Sequence, residues 1–145
     1  MDVPVWLPTM ILFAGIGQLA IVAGSLRIPQ ALGWSEDVGK LRPLTRQVFW
    51  TYAGYIWTTN LCFGLLSAFA ADWIIDGSPL AASVTGFITV YWGARVVIQF
   101  AYFDRSDAPE GLQFQLAEIV LVGLFLFFTA TYGYATVLNI WGQSA

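Results

Sequence analysis

The chain has 145 residues, enough for one soluble domain, yet 58% are hydrophobic, 10% are charged and the mean hydropathy is +0.70. A soluble domain carries roughly 25% charged residues, so most of this surface must meet something other than water. A net charge of −3 gives no basic excess for nucleic acid, the single cysteine, Cys62, excludes an intramolecular disulfide, and the absence of histidine removes histidine-ligated haem, the usual zinc sites and a Ser-His-Asp triad.

The hydrophobic runs predict an all-α polytopic integral membrane protein. Its four transmembrane helices, at about residues 4–26, 46–74, 80–103 and 112–141, each reach the roughly 20 residues that cross a hydrocarbon core. Short connections make them one domain, an up-down antiparallel four-helix bundle. The first run is read as a retained helix, because a secretory signal needs a positive n-region and this chain starts Met1-Asp2-Val3-Pro4. Pro4 and Pro8 suit its first turns. Ala14, Gly17, Ala20 and Gly24 form a stripe of small residues that permits close helix approach.

A polar connection punctuated by Pro29, Gly33, Gly39 and Pro43 follows, with Thr45 as the expected N-cap of the second run. That run opens on Phe49, Trp50, Tyr52 and Tyr55, an aromatic cluster suited to a membrane interface. Deeper lie Thr58, Thr59 and Asn60, and Asn60, Gly64 and Ser67 share one helical face. Asp76-Gly77-Ser78-Pro79 is a tight turn by its chemistry, which makes the second and third runs antiparallel neighbours. The fourth run is long enough to tilt or protrude. Gly123, Thr129, Gly133 and Ala135 suit packing, and Tyr132, Tyr134, Asn139 and Trp141 suit the exit interface.

Lys and Arg fall in two connections. Arg27, Lys40, Arg42 and Arg46 lie between the first two runs, and Arg105 lies between the last two. The positive-inside rule then places both loops in the cytoplasm and both termini on the non-cytoplasmic side, with a bacterial inner membrane as the expected location.

Two charges fall well inside the apolar runs, Arg95 and Glu118. At 1.5 Å per residue they lie about 12 Å and about 10 Å from the cytoplasmic end. The same arithmetic brings Gln18 and Tyr55 to about 13 Å, with Tyr52 and Gln99 one turn shallower. Gln18, Tyr52, Tyr55, Arg95, Gln99 and Glu118 thus form a candidate ligand-binding polar layer. A charge inside a span costs about 2.5–3.5 kcal/mol on insertion scales, so the layer is either a structural ion pair or a site. As a site, Arg95 would hold an anionic or carbonyl group, Glu118 would orient it or carry a proton, and the tyrosines would line the wall.

No P-loop, dinucleotide fingerprint or carboxylate-rich metal pattern occurs, so neither catalytic nor metal-ligating residues are expected. The expected function is that of a small, non-enzymatic membrane protein acting by association, as an accessory subunit of a larger complex or as a homo-oligomer. Its expected partners are membrane lipids and other membrane subunits or copies of itself, without nucleic acid. The alternative is a lipid- or quinone-binding protein, carrier or enzyme, that uses the Arg/Glu/Tyr layer. No cofactor is expected beyond such a bound lipid or quinone.

Overall fold

The computed structural model describes residues 3–104, 106 and 111–142, and all regular structure among them is helical. In chain order come α1 (Leu7–Ser25), two short helices α2 (Ile28–Ala31) and α3 (Trp34–Gly39), and α4 (Pro43–Phe69). A 3₁₀ turn at Ala71–Ile74 leads to α5 (Pro79–Ala101) and α6 (Leu112–Gly142).

Three helices, α1, α5 and α6, are long and apolar enough to cross a membrane, which fits an integral membrane location. The sequence reading expects four. α4 has the length, at 27 residues, but Tyr52, Tyr55, Thr58, Thr59 and Asn60 dilute its apolar character. The expected 46–74 helix is also two pieces, since the backbone leaves helical geometry at Ala70 before the 3₁₀ turn.

Proline sets four of the helix starts. Pro8, Pro29, Pro43 and Pro79 occupy first turns, where a missing N–H costs no hydrogen bond. Pro43 also holds Arg42 in extended geometry, φ −57° and ψ 147°, so α4 cannot begin earlier. Thr45, the expected cap, therefore sits inside the first turn. Before α5 the expected tight turn forms. Gly77 adopts φ +77°, the Ser78 N–H donates to Asp76 Oδ1 at 2.8 Å, and the Ser78 hydroxyl oxygen accepts from the Ala81 N–H at 3.1 Å.

The long helices form two antiparallel pairs. In the first, Gly15 of α1 lies against Gly64 and Ala68 of α4, and Gly64 lies against Leu19. The Trp57 indole N–H donates to the Val22 carbonyl at 3.2 Å. The buried face of α1 is Leu7, Ile11, Ala14, Gly15, Gln18 and Val22, a helical 3–4 repeat. Ala20 and Gly24, expected in the packing stripe, are exposed, so Gly15 and not Gly24 provides the close approach.

In the second pair, three glycines meet three threonine methyls: Gly86 with Thr136, Gly133 with Thr89, and Gly93 with Thr129. Each of these threonine hydroxyls donates to the carbonyl four residues earlier, at 2.7–2.8 Å. The polar group is thereby satisfied within its own helix, and the methyl is left to pack. The pairs join through α1 and α6, where Gly17 faces Leu124 and Phe128. α4 meets α5 through Phe63, whose ring lies 5.8 Å from Phe87 and 5.2 Å from Tyr91.

Arg27, Lys40, Arg42 and Arg46 all lie at one end of the molecule, called the basic end below. Arg105 lies outside the described residues. Because Trp57 is level with Val22, the first turns of α4 run past the end of α1 at the basic end. α3 packs on them, with the Trp34 ring 5.1 Å from Phe49 and 6.2 Å from Trp50. At the opposite end, Asn139 ties α6 to the α4–α5 connection. Its Oδ1 accepts from the Gly77 N–H at 3.0 Å, and its Nδ2 donates to the Ile74 carbonyl at 2.9 Å.

Two predictions follow from this packing. A Cβ at Gly15 would lie 2.7 Å from the Ala68 nitrogen and 3.0 Å from the Gly64 oxygen, both backbone atoms. Gly15→Val should therefore destabilise by about 1–3 kcal/mol or more, while Gly24→Ala, which meets nothing within 4 Å, should be neutral. Unfolding midpoints in mild detergent check both. Hydrogen bonds from the Ser78 hydroxyl and backbone hold the Asp76 carboxyl below its ordinary value. A depressed carboxylate stabilises the turn above its unfolded pKa and loses that contribution as pH falls through the folded one. Hydrogen exchange at the Ser78 amide, corrected for its intrinsic rate, should lose protection only on acidification into that range, and Asp76→Ala should abolish this pH dependence.

Candidate functional site

The six residues of the expected polar layer separate into three places. Gln18 is fully buried and faces away from the others. Its Oε1 accepts from the Trp92 indole N–H at 3.1 Å. Its Nε2 donates to the Tyr132 hydroxyl at 2.6 Å and to the Ala14 carbonyl at 3.2 Å. The Tyr132 and Ser67 hydroxyls pair at 2.5 Å. Each long helix thus supplies one member: Gln18 from α1, Ser67 from α4, Trp92 from α5 and Tyr132 from α6.

This knot is buried. Trp92 stacks on Phe125 at 5.2 Å and tilts against Phe128 at 4.9 Å. Every polar atom of the Gln18 amide is engaged, so this amide offers no open donor or acceptor to a substrate. Tyr132 and Asn139, expected at an exit interface, are buried instead, Tyr132 where it meets Gln18 and Ser67 and Asn139 where it bonds the α4–α5 connection.

Arg95, Gln99 and Glu118 do come together, on α5 and α6 at the basic end. Arg95 Nη1 donates to Gln99 Oε1 at 3.5 Å, and Gln99 Nε2 donates to Glu118 Oε1 at 3.0 Å. Gln99 is therefore the link between the two charges, a part the depth arithmetic does not assign to it. The Arg95 guanidinium carbon lies 4.9 Å from the Phe103 ring centre and 5.2 Å from that of Phe125. Such cation–π contacts are worth about 0.5–2 kcal/mol each, which offsets part of the cost of placing the charge there.

Tyr52 and Tyr55 join neither group; they are 63% and 65% exposed on α4. Farther from the basic end on α4, the Asn60 side chain lies beside Tyr91, and among the described residues its Oδ1 is buried without a hydrogen-bond partner. Its placement on the Asn60–Gly64–Ser67 face was readable from helical spacing, but its missing partner was not.

A depression of about 320 Å³ at the opposite end is lined by Leu7, Ile75, Asp76, Leu138 and Asn139 among others, and the Asn139 Oδ1 there accepts from the Gly77 N–H. Among the described residues no three His, Cys, Asp or Glu side chains gather as metal ligands.

Gln18→Leu should strand the buried Trp92 N–H and lower stability by about 1–3 kcal/mol, the usual cost of an unsatisfied buried donor. Adding Trp92→Phe should then lower stability by less than Trp92→Phe does alone. A double-mutant cycle on detergent unfolding measures the coupling, and additive losses would remove the knot as the element that joins the helices. No match to a family model, a curated protein or a solved structure was found for this chain.

Proposed function

We propose that this is a non-enzymatic integral membrane protein that acts by association, as a homo-oligomer or as an accessory subunit, through the outward face of α4. One observation carries the reading. Gln47, Thr51, Gly54, Thr58 and Cys62 repeat at helical spacing and are all exposed, opposite the face that packs on α1. Small and polar residues in contact with lipid gain nothing, whereas against another helix they allow close approach and interhelical hydrogen bonds. Thr58 on this face, with Tyr52, Tyr55, Thr59 and Asn60 elsewhere on the helix, keeps α4 less apolar than α1, α5 and α6. On this reading α4 is the fourth span, one side on α1 and the other on a partner. The basic end then faces the cytoplasm, with both termini on the other side of a bacterial inner membrane.

The central knot, in which the polar groups of Gln18, Ser67, Trp92 and Tyr132 engage one another, supports a role in association over one in catalysis. The test uses the protein's own cysteine. In native membranes, mild oxidation should give a disulfide-linked dimer through Cys62 if two copies meet on this face, and Cys62→Ser should abolish it. Native mass spectrometry of the gently solubilised complex should otherwise show α4 holding a different membrane subunit, lost on Thr58→Leu with Gly54→Leu. A chain that is monomeric by both measurements overturns the proposal.

A further inference from the structure

On the reading that α5 and α6 span the membrane, we propose that Arg95 is a headgroup site for the phosphate of a membrane phospholipid, whose acyl chain fills a wedge between α4 and α5. Two independent features meet there, a cation with unused donors and an apolar opening beside it.

The cation is unusual in its direction. Long side chains on a helix ordinarily lean back toward its N-terminus. Arg95 reaches forward instead, one turn to Gln99 and two turns to Phe103, to the end of α5. Its Cα lies about 12 Å inside that end, and its guanidinium is therefore carried toward the level of the headgroups. There Phe103 and Phe125 lie against the guanidinium carbon. Of the five N–H donors of an arginine, one makes a hydrogen bond among the described residues, and that bond is long at 3.5 Å. Glu118 does not take them up, because Gln99 stands between and engages its Oε1. A half-buried guanidinium with its remaining donors open matches a phosphate, which accepts two parallel N–H bonds and is present in every phospholipid leaflet.

The wedge is read from the same face of α4 at two levels. Phe63 packs closely on Phe87 and Tyr91 of α5. Two turns nearer the basic end, Ile56 continues that face yet is 56% exposed, and Tyr52 beyond it is more exposed still. α4 therefore parts from α5 below Phe63. The opening is apolar at Ile56 and on the α5 side at Ile98, which is 39% exposed. Its mouth lies beside Arg95, and its closed end is the aromatic contact at Phe63. A headgroup on Arg95 and a chain along Ile56 and Ile98 would fill both features at once.

The test is lipid retention by the intact protein. Purified protein is exchanged into micelles containing phosphatidylglycerol, diacylglycerol or inorganic phosphate, and bound molecules are counted by native mass spectrometry. The expected result is retained phosphatidylglycerol and no retained diacylglycerol. Arg95→Gln should lower retention by about tenfold, the scale of one charge-assisted contact, and Arg95→Lys should lower it less. Ile56→Trp should block the chain with Arg95 in place and give a similar loss, which keeps the proposal testable if Arg95→Gln does not fold. Equal retention by wild type and either blocking variant overturns the proposal. Retention of inorganic phosphate alone, or of diacylglycerol as well as phosphatidylglycerol, overturns it too, by removing the chain or the headgroup. The readout is bound lipid and not oligomeric state, so it fails or succeeds separately from association through α4.

Discussion

The arrangement of this protein rests on one buried amide. Gln18 carries two donors and one strong acceptor into an interior where an unsatisfied polar group costs about 1–3 kcal/mol. All of them are engaged, by Ala14 in its own helix, Tyr132 in α6 and Trp92 in α5, with Ser67 of α4 joined through Tyr132. A hydrogen bond tolerates an error of a few tenths of an ångström. Four helices that each place one side chain in such a knot have little freedom to slide or rotate. The glycine contacts serve the same constraint, since Ser67 reaches Tyr132 because Gly15 lets α1 and α4 approach to backbone contact.

That constraint divides the molecule. Toward the end where α1 begins and α6 finishes, polar groups are satisfied, Asn139 bridges α6 to the α4–α5 connection, and side chains such as Leu7, Ile74 and Leu138 are buried together. Toward the basic end the helices are held less completely. α4 outruns α1 and parts from α5, Asn60 Oδ1 has no partner, and Arg95 keeps donors open. Groups left unsatisfied by the fold collect in this half, so both proposals locate activity there and neither locates it in the core.

Much of this was legible in the sequence, and the rest was lost for a definite reason. Depth follows from counting residues, and counting put Arg95 and Glu118 near one level with Gln99 one turn shallower; in the structure Gln99 reaches both, Arg95 on its own helix and Glu118 on α6. Depth does not give azimuth. Gln18 shares a level with Arg95 but belongs to the repeat Leu7–Ile11–Ala14–Gln18–Val22, which turns it inward to Trp92. Tyr52 and Tyr55 share a level too, but α4 carries them away from α5. Tyr132 resembled an interface residue because tyrosine near the end of an apolar run usually is one. The Ser67 hydroxyl and the Gln18 amide, on other helices, decide otherwise, and no local pattern in α6 encodes those. The break of α4 at Ala70 has no proline or glycine to announce it. It allows Ile74 and Ile75 to turn into the core, a tertiary gain invisible to local propensity.

α4 shows how a shortfall in hydropathy can carry information. Its inward face is packed at Phe63, Gly64 and Ser67, which are buried. The polarity that separates it from α1, α5 and α6 lies largely on the opposite face, in Gln47, Thr51 and Thr58, and at the margins, in Tyr52 and Tyr55. A helix surrounded by lipid would gain by replacing these with leucine or valine, at no expense to its packing on α1. Thr51 already returns its hydroxyl to the Gln47 carbonyl at 2.9 Å, leaving its methyl outward as the threonines of α5 and α6 do where they meet glycine. Gly54 stands one turn from Thr51 and from Thr58 on the same face, so α4 repeats outward the glycine–threonine chemistry that joins α5 to α6 inside the chain. The exposed face of α4 thus carries the residue types that join α5 to α6 inside the chain, and the proposal of association through α4 rests on that likeness.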